Sequence, residues 1–146
     1  MMKILIIDDD ADIRSIARLS LSRLGGMDVI EAASGGEGVR RAREETPDVI
    51  LLDMMMPTMD GVDTLAALRA QPATALTPVI FLTARAGEEA ERLRALGAAG
   101  VLIKPFDPRT LAQDVRALVA PLAAAPLKSP GSRPVQSSSN TRSRTA

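Results

Sequence analysis

The sequence predicts an α/β fold, a doubly wound parallel sheet of five strands with helices on both faces. Five short apolar runs alternate along the chain with segments of helical periodicity, and this alternation is typical of a parallel sheet. The runs are nearly continuous instead of alternating apolar with polar residues, as expected for strands buried on both faces. Glycine, proline and helix-capping residues separate the segments at short intervals, which indicates short loops.

The N-terminal part of the chain predicts two strands around one helix. Residues 3–8 form the first strand, an apolar run that ends in acidic residues. Apolar residues from Ile13 to Leu24 recur at helical spacing and predict helix one, which Gly25-Gly26 end. Residues 27–31 predict a short second strand.

Helix two and strand three follow from a capping signal and a proline. Ser34 and Glu37 match the Ser-x-x-Glu capping box and therefore begin helix two. The helix ends at Thr46-Pro47, because the residue before a proline avoids helical geometry. Residues 48–53 then form the third strand, which again ends in an aspartate.

The second half of the chain repeats the pattern. Asp60 is expected to cap helix three, over residues 61–70. Residues 78–83 form strand four, and helix four covers about residues 87–96 until Gly97 ends it.

Strand five and helix five complete the fold. Residues 100–104 form the strand, and Asp107-Pro108 predicts the helix start with a capping carboxylate and a proline at the first helical position. An apolar stripe continues the helix through Leu111, Val115, Leu118 and Leu122. In the flavodoxin-like strand order 2-1-3-4-5, the switch point lies between strands one and three, where ligands bind.

Composition limits the chemistry that is open to this chain. It has 146 residues, which suits one domain, and neither cysteine nor histidine, so disulfides, thiolate chemistry and imidazole metal ligands are excluded. The formal net charge is zero. Residues 125–146 hold four of the 18 basic residues and none of the 18 acidic ones, so the rest of the chain is acidic and is not expected to bind nucleic acid. We expect residues 123–146 to be a disordered tail rich in Pro, Ser and Arg.

Polar residues stand at the predicted carboxyl ends of four strands. They are Asp8-Asp9, Asp53, Thr83 and Lys104. These strand ends share one edge of a parallel sheet, so the side chains are expected to converge. Such a set of carboxylates, hydroxyl and ammonium can hold a hard cation and bind a phosphoryl group.

These motifs resemble those of bacterial response-regulator receiver domains over about residues 1–122. The matching strings are Asp8-Asp9, residues 53–61, Thr83-Ala84 and Lys104-Pro105-Phe106. The resemblance implies a cytoplasmic module of two-component signalling that is not an enzyme, although it assists its own phosphorylation and dephosphorylation. It would take a phosphoryl group from the phosphohistidine of a sensor kinase or histidine phosphotransfer protein and signal to an unknown downstream protein.

The resemblance also implies a role for each site residue. Asp53 would be the phosphoacceptor, and Thr83 and Lys104 would stabilise the phosphoryl group. Mg²⁺ would bind Asp9 and Asp53 directly, Asp8 through water, and a backbone carbonyl. The resemblance implies that the carbonyl bound to Mg²⁺ is that of Met55. It also implies structural roles for Pro57, Gly61 and Pro105, with a cis peptide bond before Pro105.

Two departures from the family pattern affect the expected output. The family couples its strand-four threonine to an aromatic residue on strand five, but the matching position here is Val101. We therefore expect phosphorylation to reshape the face made by helix four, strand five and helix five only modestly. Ala99-Gly100 stand where many DNA-binding members carry acidic residues for dimer pairing. This departure favours a monomer or weak dimer, and either a single-domain regulator or a receiver tethered to a partner that does not bind DNA.

Two other classes of function fit part of the sequence. A receiver-like interaction module that does not use phosphate is compatible with Val101. A metal-dependent phosphatase would carry Asp-x-Asp-x-Thr after its first strand, but Asp12 stands in place of that threonine. The aspartates also have a structural interpretation, in which Asp8 or Asp9 caps helix one and Asp10 and Asp12 favour its start.

Overall fold

Five parallel strands form the centre of the molecule, in the order β2-β1-β3-β4-β5. The computed structural model describes residues 1–124, so the tail predicted over residues 123–146 lies almost wholly outside the described residues. The strand order and parallel pairing confirm the predicted doubly wound sheet. The strands are β1 Lys3–Ile7, β2 Asp28–Ala32, β3 Val49–Asp53, β4 Val79–Thr83 and β5 Gly100–Ile103.

Helices connect successive strands and cover both faces of the sheet. They are α1 Ala11–Leu19, α2 Gly35–Glu45, α3 Gly61–Ala70, α4 Glu88–Ala95 and α5 Leu111–Ala124, with a π-helical segment at Ser20–Leu24 and a 3-10 turn at Pro72–Thr74. Within residues 1–124, none of these helices combines the length and apolarity that a membrane crossing requires.

Successive strand residues point to opposite faces of the sheet, so the apolar runs build two separate cores. On one face the strands pack against α2, α3 and α4, and on the other against α1 and α5. The first core includes Leu5, Ile7, Ile50, Leu52, Phe81, Ala42, Leu65 and Leu93, and the second includes Ile4, Ile6, Leu51, Ile80, Leu82, Ala17, Leu21 and Val115. The near-continuous apolar runs of the sequence are thus explained by burial on both sides.

Ser34 and Asp60 cap α2 and α3 as predicted, but the capping box predicted at α2 is incomplete, because Glu37 reaches the N–H of Ala33 and not that of Ser34. The Ser34 Oγ accepts a hydrogen bond from the Glu37 N–H at 3.1 Å, and the Glu37 carboxylate accepts one from the Ala33 N–H at 2.8 Å. At α3 the Asp60 carboxylate accepts from the Asp63 N–H at 2.8 Å. These contacts satisfy N–H groups that a helix start leaves without partners.

The capping of α1 corrects one prediction. Asp10, and neither Asp8 nor Asp9, is the capping residue, and its Oδ1 accepts from the N–H groups of Asp12 at 2.9 Å and Ile13 at 3.3 Å. A capping side chain stands directly before the first helical turn, and Asp10 occupies that position. Asp8 and Asp9 therefore do not cap the helix and lie at the rim of the sheet.

Helix α5 begins later than Asp107-Pro108 predicts. The Asp107 Oδ1 accepts from the Arg109 N–H at 2.9 Å and its carbonyl from the Thr110 N–H at 3.1 Å, which closes a separate turn. The helix begins at Leu111, after the Thr110 carbonyl accepts from the Asp114 N–H at 2.8 Å. The helix start predicted at Asp107-Pro108 is therefore too early.

Candidate functional site

Three carboxylates meet where β1 and β3 end. Ile7 pairs with Leu52 in the parallel register, so the next residue of each strand, Asp8 and Asp53, reaches the same point of the rim. Oxygens of Asp8, Asp9 and Asp53 all lie within 4.8 Å of one another. Asp8 and Asp53 are buried and Asp9 is exposed. The predicted convergence of the three aspartates is therefore found in the structure.

Lys104 brings a positive charge to this carboxylate cluster. Its Nζ lies 3.0 Å from the Asp8 Oδ2 and 3.1 Å from the Asp53 Oδ1. Its backbone N–H donates to the Thr83 carbonyl at 2.8 Å, which fixes the chain directly after β5. The peptide bond between Lys104 and Pro105 is cis, as the resemblance implied. The site thus has one ammonium group between two buried carboxylates.

The electrostatics of the cluster show that this ammonium group does not balance the negative charge. Burial, followed by the charge of Asp8, raises the pKa of Asp53 from 3.8 to about 6, against the opposing effect of Lys104. Burial opposes the charge on Lys104, but hydrogen bonds from the ammonium to Asp8 and Asp53 raise its pKa overall. A further cation at this position would favour the ionised form of Asp53.

The donor set fits a hard divalent cation such as Mg²⁺. The converging atoms are carboxylate oxygens, which Mg²⁺ prefers, and the exposed side chain of Asp9 leaves one side open to the water ligands that this ion retains. The Met55 N–H donates weakly to the Asp53 Oδ1, at 3.4 Å, so Met55 lies beside the cluster. A role for the Met55 carbonyl as a ligand remains a prediction.

Thr83 lies at the end of β4, but its hydroxyl is already engaged. The residue is 2% exposed, and its Oγ1 donates to the Glu89 Oε2 at 2.9 Å and accepts from the Arg85 N–H at 3.2 Å. Sequence reasoning missed Glu89, because an acidic residue in the first turn of a helix is sufficiently explained by the helix dipole. No spacing rule links Glu89 to Thr83, because the contact depends on the path of the loop between β4 and α4.

Arg14 is a second residue that the sequence did not single out. Its guanidinium donates to the Asp8 carbonyl at 2.8 Å and to the Glu31 carboxylate at 3.1 Å. Arg14 therefore ties the end of β1 to β2 and α1. On α1, an arginine among exposed polar residues gives no sequence signal that distinguishes it from an ordinary surface cation.

Val101 lies two residues before the end of β5, where it pairs with Phe81. It is buried and belongs to the core cluster that includes Phe81, Ala90 and Leu93. The structure thus places a small aliphatic side chain on β5 in the core shared with β4 and α4. The proposed role of Val101 in a conformational switch remains a prediction.

The loop after β3 holds the end of that strand by close backbone contacts. The Gly61 N–H donates to the Met54 carbonyl at 2.8 Å, and a side chain at Gly61 would lie 2.8 Å from the Asp53 carbonyl oxygen. The Pro57 carbonyl accepts from the Met59 N–H at 2.7 Å, which tightens the loop. The structural roles expected of Pro57 and Gly61 remain predictions.

An open cavity of about 440 Å³ adjoins the site. Its lining includes Met55 and Arg85, which lie two residues beyond Asp53 and Thr83. Thr83, Glu89 and Arg92 also line it. The hydrogen-bonded Thr83–Glu89 pair thus lies on the wall of a cavity beside the carboxylate cluster.

Comparisons with known proteins agree with this geometry. The family model of the response regulator receiver domain matches residues 4–116. The transcriptional regulatory protein ResD of Bacillus subtilis is 40% identical over 119 residues, 80% of this chain and 48% of ResD. The transcriptional regulatory protein CpxR of Escherichia coli is 43% identical over 121 residues, 82% of this chain and 50% of CpxR. The chain therefore spans about half the length of the curated relatives it matches.

Solved structures show the same architecture. The chemotaxis protein CheY4 of Vibrio cholerae has a TM-score of 0.75 and 35% sequence identity, with 81% of this chain and 98% of CheY4 covered. The Francisella response regulator 1452 receiver domain has a TM-score of 0.74 and 32% identity, with 84% of this chain and 99% of that domain covered.

Proposed function

Because the chain belongs to the response regulator receiver domain family, we propose that it accepts a phosphoryl group on Asp53. The donor would be a phosphohistidine of a sensor kinase or of a histidine phosphotransfer protein, and the reaction would require Mg²⁺. The observation that carries this proposal is the convergence of Lys104, Asp8 and Asp53 at the rim of the sheet. In this role the protein is a phosphoacceptor that assists a transfer, and not an enzyme with turnover.

The transfer needs a nucleophile, charge neutralisation and a leaving group. A carboxylate oxygen of Asp53 attacks phosphorus, a P–O bond forms as the P–N bond to the donor imidazole breaks, and the imidazole nitrogen keeps the electron pair. Lys104, 3.1 Å from Asp53, would neutralise charge on the phosphoryl oxygens. When bound to Asp8, Asp9 and Asp53, Mg²⁺ would supply the further positive charge that such a transfer requires. The donor histidine belongs to the partner, which is consistent with a chain that has none.

The output is a separate part of the proposal. ResD and CpxR are transcriptional regulatory proteins by name, and each is about twice the length matched here. We propose that phosphorylation acts through the face formed by α4, β5 and α5, where buried Val101 replaces an aromatic residue.

The small side chain of Val101 favours a second candidate function. Val101 is too small to reproduce the movement of a strand-five aromatic, so the same surface could serve a phosphorylation-independent interaction module. The two functions differ in whether Asp53 must be modified for a partner to bind.

The test is the intact mass of the protein after incubation with a small phosphodonor and Mg²⁺. Wild type should gain one alkali-labile phosphoryl group, and Asp53→Asn should gain none. An adduct on both proteins would place the acceptor elsewhere. No adduct from either the small donor or a cognate kinase would favour the interaction module.

A further inference from the structure

The Thr83 hydroxyl has a single proton, and that proton is committed to Glu89. The Thr83 Oγ1 lies 2.9 Å from the Glu89 Oε2 and also accepts from the Arg85 N–H at 3.2 Å. A hydroxyl donates only one hydrogen bond. While it donates to Glu89, Thr83 cannot donate to a phosphoryl oxygen on Asp53.

The contact is largely buried and joins two parts of the rim. Thr83 is 2% exposed and Glu89 is half-buried, and a hydrogen bond to a charged acceptor is stronger than one between neutral groups. Glu89 lies in the first turn of α4, whose capping residue, Gly87, has a φ of 76° and no side chain with which to cap the helix. The bond to Thr83 therefore connects the end of β4 to the start of α4.

We propose that Glu89 is a positioning residue that withholds the Thr83 hydroxyl from the phosphorylation site until a phosphoryl group competes for it. This inference rests on the proposed role of Asp53 as acceptor. Once Thr83 turns to the phosphoryl group, Glu89 loses its partner and the first turn of α4 is released. The response would thus pass from Thr83 to α4 through Glu89, on a protein whose β5 carries Val101.

A purely structural role for Glu89 makes a different prediction. If the bond only fixes the loop before α4, its loss should reduce stability and leave or weaken the affinity for a phosphoryl mimic. If Glu89 withholds the hydroxyl, its loss should increase that affinity, because no hydrogen bond to Glu89 has to be broken first.

The probe is beryllofluoride, an acyl-phosphate mimic, titrated with Mg²⁺ present and followed by backbone amide shifts. Glu89→Ala should bind it about tenfold more tightly than wild type. The matched control is Glu88→Ala, which removes the same charge from an adjacent exposed position in the same turn of α4 and should change the affinity less than twofold.

A double-mutant cycle isolates the contact from general effects of charge. In a Thr83→Ala background, Glu89→Ala should no longer increase affinity, because the hydroxyl that it releases is absent. An equal gain in that background, or no gain in the Thr83 protein, would overturn the proposal. If Glu89→Ala folds poorly, Glu89→Gln, which keeps an acceptor oxygen without the charge, should give a smaller gain, and a loss of affinity would overturn the proposal as well.

The same titrations separate this inference from the proposed function. Wild type that binds beryllofluoride while Asp53→Asn does not would support the acceptor role whatever the Glu89 variants do. Failure of every variant, including wild type, to bind would overturn the acceptor role and the role of Glu89 with it.

Discussion

The Lys104 Nζ lies 3.1 Å from the Asp53 Oδ1, although the two residues are 51 positions apart and belong to strands separated by β4. Lys104 follows β5, and its side chain crosses the end of β4 to reach β3 and the Asp8 carboxylate beyond it. The long aliphatic stem of a lysine allows this reach, whereas a shorter cation could not span two inter-strand spacings of about 4.8 Å each.

Replacing Lys104 should therefore abolish most of the transfer. We expect Lys104→Met, which keeps the stem and removes the charge, to slow phosphoryl incorporation from a small donor about a hundredfold, in line with the loss of one donor at a developing charge. Lys3→Met is the control, because Lys3 pairs with Glu45 at the opposite end of β1. Initial rates measured by intact mass would check this, and a rate within twofold of wild type would exclude a role for Lys104 in the transfer.

Metal-free protein should be stabilised by Asp53→Asn at neutral pH. Burial and the charge of Asp8 raise the pKa of Asp53 to about 6, so the folded state favours the protonated carboxyl. This contribution to stability is fully present below pH 3.8 and is lost as the pH rises through about 6. Without metal, Asp53→Asn should exceed wild type by about 1–3 kcal/mol in free energy of unfolding at pH 7, and the excess should vanish near pH 4. Urea unfolding at both pH values would measure it, and an equal excess at both would contradict the assigned cause.

Mg²⁺ should narrow that difference. A ligand that binds only the folded state adds about 1.4 kcal/mol to the free energy of unfolding at ten times its Kd. Wild type should show this gain at pH 7.5, and Asp53→Asn should show little of it. The gain should shrink towards pH 5, because protons compete with the metal for Asp53. A gain that is independent of pH, or is equal in the variant, would place the metal elsewhere.

The sequence predicted the rim of the site better than it predicted the contacts behind it. Asp8, Asp53 and Lys104 could be placed because parallel strands end at one edge, and an apolar run marks where each strand ends. The Thr83–Glu89 and Arg14–Asp8 contacts depend on side-chain rotamers and loop paths, for which spacing gives no rule. The predicted start of α5 was wrong for a similar reason, since Asp107 caps a local turn that competes with the helix.

Arg14 should position Asp8 for metal binding. Its guanidinium donates to the Asp8 carbonyl at 2.8 Å and is anchored by Glu31 at 3.1 Å. We expect Arg14→Ala to weaken Mg²⁺ binding about tenfold, as the loss of groups that orient metal ligands does elsewhere. Arg18→Ala is the matched control, because Arg18 pairs with the same Glu31 at 3.1 Å but is more exposed. Calorimetric titration would measure the Mg²⁺ affinity of both variants. Equal losses of affinity in the two would indicate a general effect of charge.

Two glycines should respond to alanine in opposite directions. A side chain at Gly61 would lie 2.8 Å from the Asp53 carbonyl oxygen and from the Met54 Cα, so the backbone at the end of β3 would have to shift. We expect Gly61→Ala to cost about 1–3 kcal/mol in free energy of unfolding and to slow phosphorylation, because Asp53 itself is displaced. At Gly36 in α2 a side chain would contact nothing within 4 Å, so Gly36→Ala should stabilise the protein by about 0.5–1 kcal/mol and leave the phosphorylation rate unchanged. Denaturant unfolding and phosphorylation rates on both variants would test this, and a Gly61→Ala protein with wild-type stability would show that the loop after β3 can yield without moving the acceptor.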